Sequence, residues 1–149
     1  MANIEIESEE EFLKRFPNYK EVQSLIEFFR EVAPKPWKLR KDEDDICLVA
    51  KIGVNLELRL RKLNKGAELT FGDGYFWPDA SIYAGLIEGT QGGQRHEVYL
   101  SLGVIYLSSK YQEQILELMK RFYEKFKNEN ITLDTERVID GLSTEHPPY

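Results

Sequence analysis

The stretch Val54-Asn55-Leu56-Glu57-Leu58-Arg59-Leu60-Arg61 alternates apolar and polar residues without a break. Successive side chains on a strand point to opposite sides, so this pattern gives one leucine face toward a core and one Glu/Arg face toward water. It commits the chain to a sheet with a one-sided core.

Neighbouring segments extend that sheet. Asn64-Lys65-Gly66 has the chemistry of a short hairpin loop, because glycine tolerates the positive φ such loops require. Ala67-Glu68-Leu69-Thr70-Phe71 then returns antiparallel, with Ala67, Leu69 and Phe71 inward. On the other side, Ile46 to Ile52 is a mostly apolar run suited to a central strand. Ser81 to Ile87 and Glu97 to Leu107 are two further strands, joined by the glycine-rich run Gly89-Thr90-Gln91-Gly92-Gly93-Gln94-Arg95. Both carry apolar residues on each face: Ile82, Ala84 and Leu86 against Tyr83 and Ile87, then Val98, Leu100, Leu102 and Val104 against Tyr99 and Ile105. The second face is either covered by a terminal segment or presented to a partner. Asn3-Ile4-Glu5-Ile6-Glu7 also alternates, as a short edge strand does.

Helices flank the strands. Ser8-Glu9-Glu10-Glu11 is a capping-box pattern that opens a short helix to about Arg15. Pro17 interrupts, and Asn18 with Glu21 restarts a second helix whose Val22, Leu25, Ile26, Phe29 and Val32 share one stripe, ending near Pro34. Pro34-Lys35-Pro36-Trp37 reads as a stiff connector and Asp42-Glu43-Asp44-Asp45 as a solvated acidic loop. Ser109-Lys110-Tyr111-Gln112 is a second capping box, before a long helix with Ile115, Leu118, Met119, Phe122 and Phe126 at helical spacing. Thr132 to Asp140 is expected as a short helix ended by Gly141, with a loose tail from about residue 141 through His146-Pro147-Pro148-Tyr149. The expected fold is therefore one α+β domain over residues 1–149: an antiparallel sheet of about five strands, preceded by two helices and covered by a long C-terminal helix.

Composition bears on function mainly by exclusion. With 42% hydrophobic and 31% charged residues, the chain matches water-soluble domains, and no apolar run approaches the roughly 20 residues that cross a bilayer. Its acidic N-terminus carries no hydrophobic signal region, which makes a cytoplasmic location the expectation and a membrane role unexpected. Cys47, the single cysteine, sits in an apolar run and reads as a small buried hydrophobe. With His96 and His146 as the only histidines, no zinc site of the usual spacing assembles, and neither metal nor cofactor is expected. The glycines between Gly85 and Gly93 match neither G-x-G-x-x-G nor the P-loop, and there is no G-x-S-x-G elbow. A net charge of −6 disfavours nucleic acid despite Arg59, Arg61, Lys62 and Lys65, and suits a basic protein partner.

The sharpest candidate surface is Phe71-Gly72-Asp73-Gly74-Tyr75-Phe76-Trp77-Pro78-Asp79-Ala80, where three consecutive aromatics lie between a flexible turn and a rigid proline. Either these rings seal one end of the core, or Tyr75, Phe76 and Trp77 anchor a partner with Asp79 as polar rim. Tyr83 and Tyr99 would widen that surface, and with Ile87 and Ile105 could instead join a homodimer. His96, beside Arg95 and Glu97, is the one position for a general base near a flexible loop, and with Arg95, Asp79 or Tyr83 defines an alternative ligand pocket. Glu97 is a poor orienter for it, because adjacent strand residues face opposite ways. The leading expectation is a non-catalytic protein-binding module, of the kind that serves as an immunity or inhibitor-type protein. The alternatives are a small-molecule-binding or enzymatic domain and a homodimeric structural protein.

Overall fold

Residues 8–42, 45–61, 66–72, 80–88, 94–102, 111–128 and 131–134 are described by the computed structural model. Two helices come first, α1 (Glu9–Leu13) and α2 (Lys20–Val32). Six strands follow: β1 (Lys38–Asp42), β2 (Asp45–Ile52), β3 (Val54–Arg61), β4 (Gly66–Gly72), β5 (Ala80–Glu88) and β6 (Gln94–Leu102). Helix α3 (Gln112–Phe126) and strand β7 (Ile131–Asp134) complete the order.

The sheet has seven strands in sequence order, β1 through β7. Every neighbouring pair from β1 to β6 is antiparallel, as the short connections require, while β7 runs parallel to β6. A parallel neighbour demands a crossover, and α3 supplies it. The architecture is α+β as expected, with more strands than the five anticipated.

The alternation of β3 sets the register of everything beside it. Leu48, Leu58, Leu69, Ile82 and Leu100 stand opposite one another across β2 to β6, all buried. Leu56 and Phe71 pair one step along, and Ala67, Ala84 and Val98 line up on the other side. Burial of each leucine side chain in such a layer contributes about 1.5–3 kcal/mol.

The helices share one hydrophobic cluster with this face. Helix α2 buries Val22, Leu25, Ile26, Phe28 and Phe29, lying across β4, β5 and β6. Beside it α3 buries Ile115, Leu118, Met119 and Phe122, and the Phe28 and Phe122 rings meet edge to face at 5.2 Å. Two helices thus cover the leucine face, where the spacing pointed to the long C-terminal one. Helix α1 adds Phe12 and Leu13, and the buried Phe16 just beyond it stacks its ring edge-on at 5.1 Å from Phe12.

Helix starts agree with the sequence in one case and depart from it in two. Ser8 Oγ accepts the Glu11 amide at 3.2 Å and caps α1. Helix α2 begins after Tyr19, which makes no side-chain cap, so Asn18 is not the cap its residue type implied. Likewise α3 starts after Tyr111 without a side-chain cap, and Ser109 lies outside the described residues.

Two elements differ from expectation. The segment after Trp37 is a strand, β1, despite its single apolar residue Leu39: it is tied to β2 by register, with Leu39 opposite Leu48. The Thr132 to Asp140 helix is replaced at its start by β7, where Val98 and Leu100 stand beside Ile131 and Leu133. The expected Asn3 to Glu7 strand and the tail from about residue 141 lie outside the described residues.

The connector into β1 is pinned by Trp37. Its ring packs on Phe29 at 5.2 Å, its Nε1 donates to the Ala33 carbonyl at 3.0 Å, and Lys35 Nζ sits 4.8 Å from the ring centroid. Each cation near an indole face adds roughly 0.5–1 kcal/mol at an exposed site.

Candidate functional site

With α2 and α3 covering the leucine face, the strands turn their other side chains to the opposite face. A single row crosses it in register: Arg40, Cys47, Arg59, Glu68, Tyr83 and Tyr99, one from each strand from β1 to β6. A second row runs Lys38, Val49, Glu57, Thr70, Ser81 and Ser101. The face changes character from charged at β1 and β3 to hydroxyl-rich and aromatic at β5 and β6.

At the cationic end, Arg40 makes a bidentate contact with Glu57 at 2.8 and 3.2 Å. These residues belong to β1 and β3, so the guanidinium reaches across β2. Cys47 lies between Arg40 and Arg59 in register and is fully buried, as its apolar setting predicted. Arg59 also approaches the Glu57 carboxylate, at 3.4 Å. One carboxylate shared by two guanidiniums fixes this corner geometrically, since planar guanidinium forks match carboxylate oxygens.

At the aromatic end, Tyr83 and Tyr99 are directly opposite each other, half-buried. The Tyr83 hydroxyl donates to the Leu86 carbonyl at 3.1 Å, which holds the ring along its own strand. That position requires Gly66: a Cβ there would lie 2.8 Å from the Tyr83 hydroxyl and 2.3 Å from the Ala84 carbonyl oxygen. Gly66 faces Gly85 in register, and next to Gly85 stands Glu97, buried on this same face. The sequence expectation that Tyr83 and Tyr99 share one surface therefore corresponds to a single cross-strand pair. Tyr75, Phe76, Trp77 and Asp79 occupy the connection between β4 and β5 and lie outside the described residues, as does Ile105.

His96 belongs to the other side of the sheet. It pairs in register with Leu86, and its Nδ1 stands 3.1 Å from Glu21 Oε1 on α2. The Tyr19 ring meets the imidazole edge-on, with centroids 4.4 Å apart. Glu97 faces away, as strand alternation required, and the carboxylate beside the imidazole comes from the helix instead. Sequence reading assigned Glu21 to helix capping and gave Tyr19 no role. The pairing depends on tertiary contact between α2 and β6, which no local spacing reports. A carboxylate and an aromatic ring thus both stand against the imidazole from the helix side of the sheet.

The candidate ligand residues are consequently divided. Arg95 follows Gln94 at the start of β6 and pairs in register with Ile87. His96 and Tyr83 lie on opposite faces. His96 is also six residues from Leu102, which pairs with Ala80, so about 20 Å of strand separates it from the start of β5, and Asp79 lies outside the described residues.

Four carboxylate-to-cation contacts on the helix layer have an electrostatic consequence. Glu10 accepts from Arg30 at 2.7 Å and from Lys35 at 3.3 Å; the Arg30 hydrogen bond, more than the Lys35 contact, holds its carboxyl below the usual range against a smaller opposing effect of burial. Glu31 accepts from Lys125 and from Arg121 at 3.0 Å, and the Lys125 bond first of all lowers its carboxyl pKa while raising that of the ammonium. These pairs join α1 to α2 and α2 to α3, and mark that layer as a braced scaffold.

Among the described residues, no group of three or more His, Cys, Asp or Glu side chains is placed to hold a metal ion, and no described helix is long and apolar enough to cross a membrane. No protein-family model, curated protein or solved structure matches this chain.

Proposed function

We propose that this chain is a non-catalytic protein-binding module, of immunity or inhibitor type, that engages its partner through the sheet face opposite the helices. The observation that carries this reading is the Tyr83–Tyr99 pair, half-buried at the aromatic end of a face on which no described helix packs. Rigid aromatics flanked by small hydroxyl side chains, here Thr70, Ser81 and Ser101, supply contact area at low entropic cost. The connection bearing Tyr75, Phe76, Trp77 and Asp79 leads into β5 and lies outside the described residues, so the proposal rests on Tyr83 and Tyr99. The net charge of −6 favours a basic partner, through complementary fields that speed encounter.

The test is capture from a native lysate on the immobilised protein, with a Tyr99→Ala variant of matched folded content. A stoichiometric protein retained by the parent and lost by the variant supports the reading. Retention by both removes Tyr99 from the surface. A parent that sediments as a dimer and a variant that sediments as a monomer would assign the face to self-association.

A second reading rests on a different observation, the Glu21–His96 pair beside Tyr19. An imidazole with a carboxylate beside it on the helix side is the element a small-molecule or enzymatic site would use. A metabolite whose thermal-shift response disappears in both His96→Ala and Glu21→Gln would favour it; a response unchanged in both would exclude that pair.

A further inference from the structure

We draw no further inference here: the strongest candidate, the cationic edge strand β1 with Lys38, Arg40 and Lys41 at the margin of the sheet, carries nothing because no described residue shows what covers that edge.

Discussion

Gln114 on α3 clasps the β2–β3 hairpin through Val54: its side-chain oxygen accepts the Val54 amide at 3.0 Å, while its amide nitrogen donates to the Ile52 carbonyl. The hairpin turns at Gly53, whose φ of 101° is a left-handed conformation suited to glycine. One side chain therefore satisfies both backbone groups flanking the turn and fastens the C-terminal helix to the far end of the sheet.

Removing that clasp leaves two part-buried backbone groups to find other partners. Gln114→Ala is expected to destabilise by about 1–3 kcal/mol, read as a lower urea midpoint at unchanged slope. Gly53→Ala should be at least as costly, since its Cβ would stand 2.8 Å from Gln114 Oε1 on top of the positive φ. Wild-type midpoints for both variants would show that the clasp contributes nothing.

Gly66→Ala tests a different constraint. The new Cβ meets the Ala84 carbonyl oxygen at 2.3 Å and Gly85 Cα at 3.0 Å, so backbone rather than a flexible side chain must yield. The expected result is a loss of about 2 kcal/mol or more, in the range of overpacked cores, with accelerated amide exchange in β4 and β5. Undisturbed exchange there would mean the two strands have more room than their register indicates.

Acid should loosen the helix layer before the sheet. Glu10 and Glu31 have carboxyl pKa values lowered from the ordinary 4.5 by Arg30 and Lys125. A depressed carboxylate contributes stability that is fully present above its unfolded pKa and is lost as pH falls through the folded one. The contribution should therefore hold at neutral pH, begin to fade near pH 4.5 and continue to fall below it. Lys125 has the opposite sign: its raised pKa gives stability present below 10.5 and lost only as pH climbs beyond that value. The pairs are exposed enough to be screened, so the Glu10→Gln/Glu31→Gln double variant should flatten the acid limb of a midpoint-against-pH curve modestly, and 1 M salt should shrink the difference. Parallel curves for parent and variant would contradict this assignment.

The parts of the fold legible in the sequence are those where side-chain periodicity and burial coincide. Leu56, Leu58 and Leu60 alternate because one face of β3 is core, and Leu25, Ile26 and Phe29 recur because one side of α2 meets the sheet. Strand β1 was hidden because Lys38-Leu39-Arg40-Lys41-Asp42 gains its place from pairing with β2 and from the Arg40–Glu57 contact across β2, neither of which leaves an apolar pattern. Strand β7 was hidden because four residues carry too little periodicity to oppose a helix, and its partner β6 is more than thirty residues earlier in the chain. The same limit applies to the sites: the Tyr83–Tyr99 pair follows from two alternating strands, whereas Glu21 beside His96 follows from how a helix crosses them.

Tyr99→Ala should leave the domain nearly intact. A cross-strand pair contributes roughly 0.2–1 kcal/mol relative to alanine, so a melting temperature lowered by a few degrees is expected. Outright unfolding would place Tyr99 in the structural core and disqualify the variant as a probe of binding.

Hydrogen–deuterium exchange of the parent protein, alone and with the protein it captures, tests the binding face most directly. Added protection concentrated in residues 80–88 and 94–102, with α1 and α3 unchanged, is the predicted result. Protection confined to the helices, with β5 and β6 exchanging as in the free protein, would contradict it.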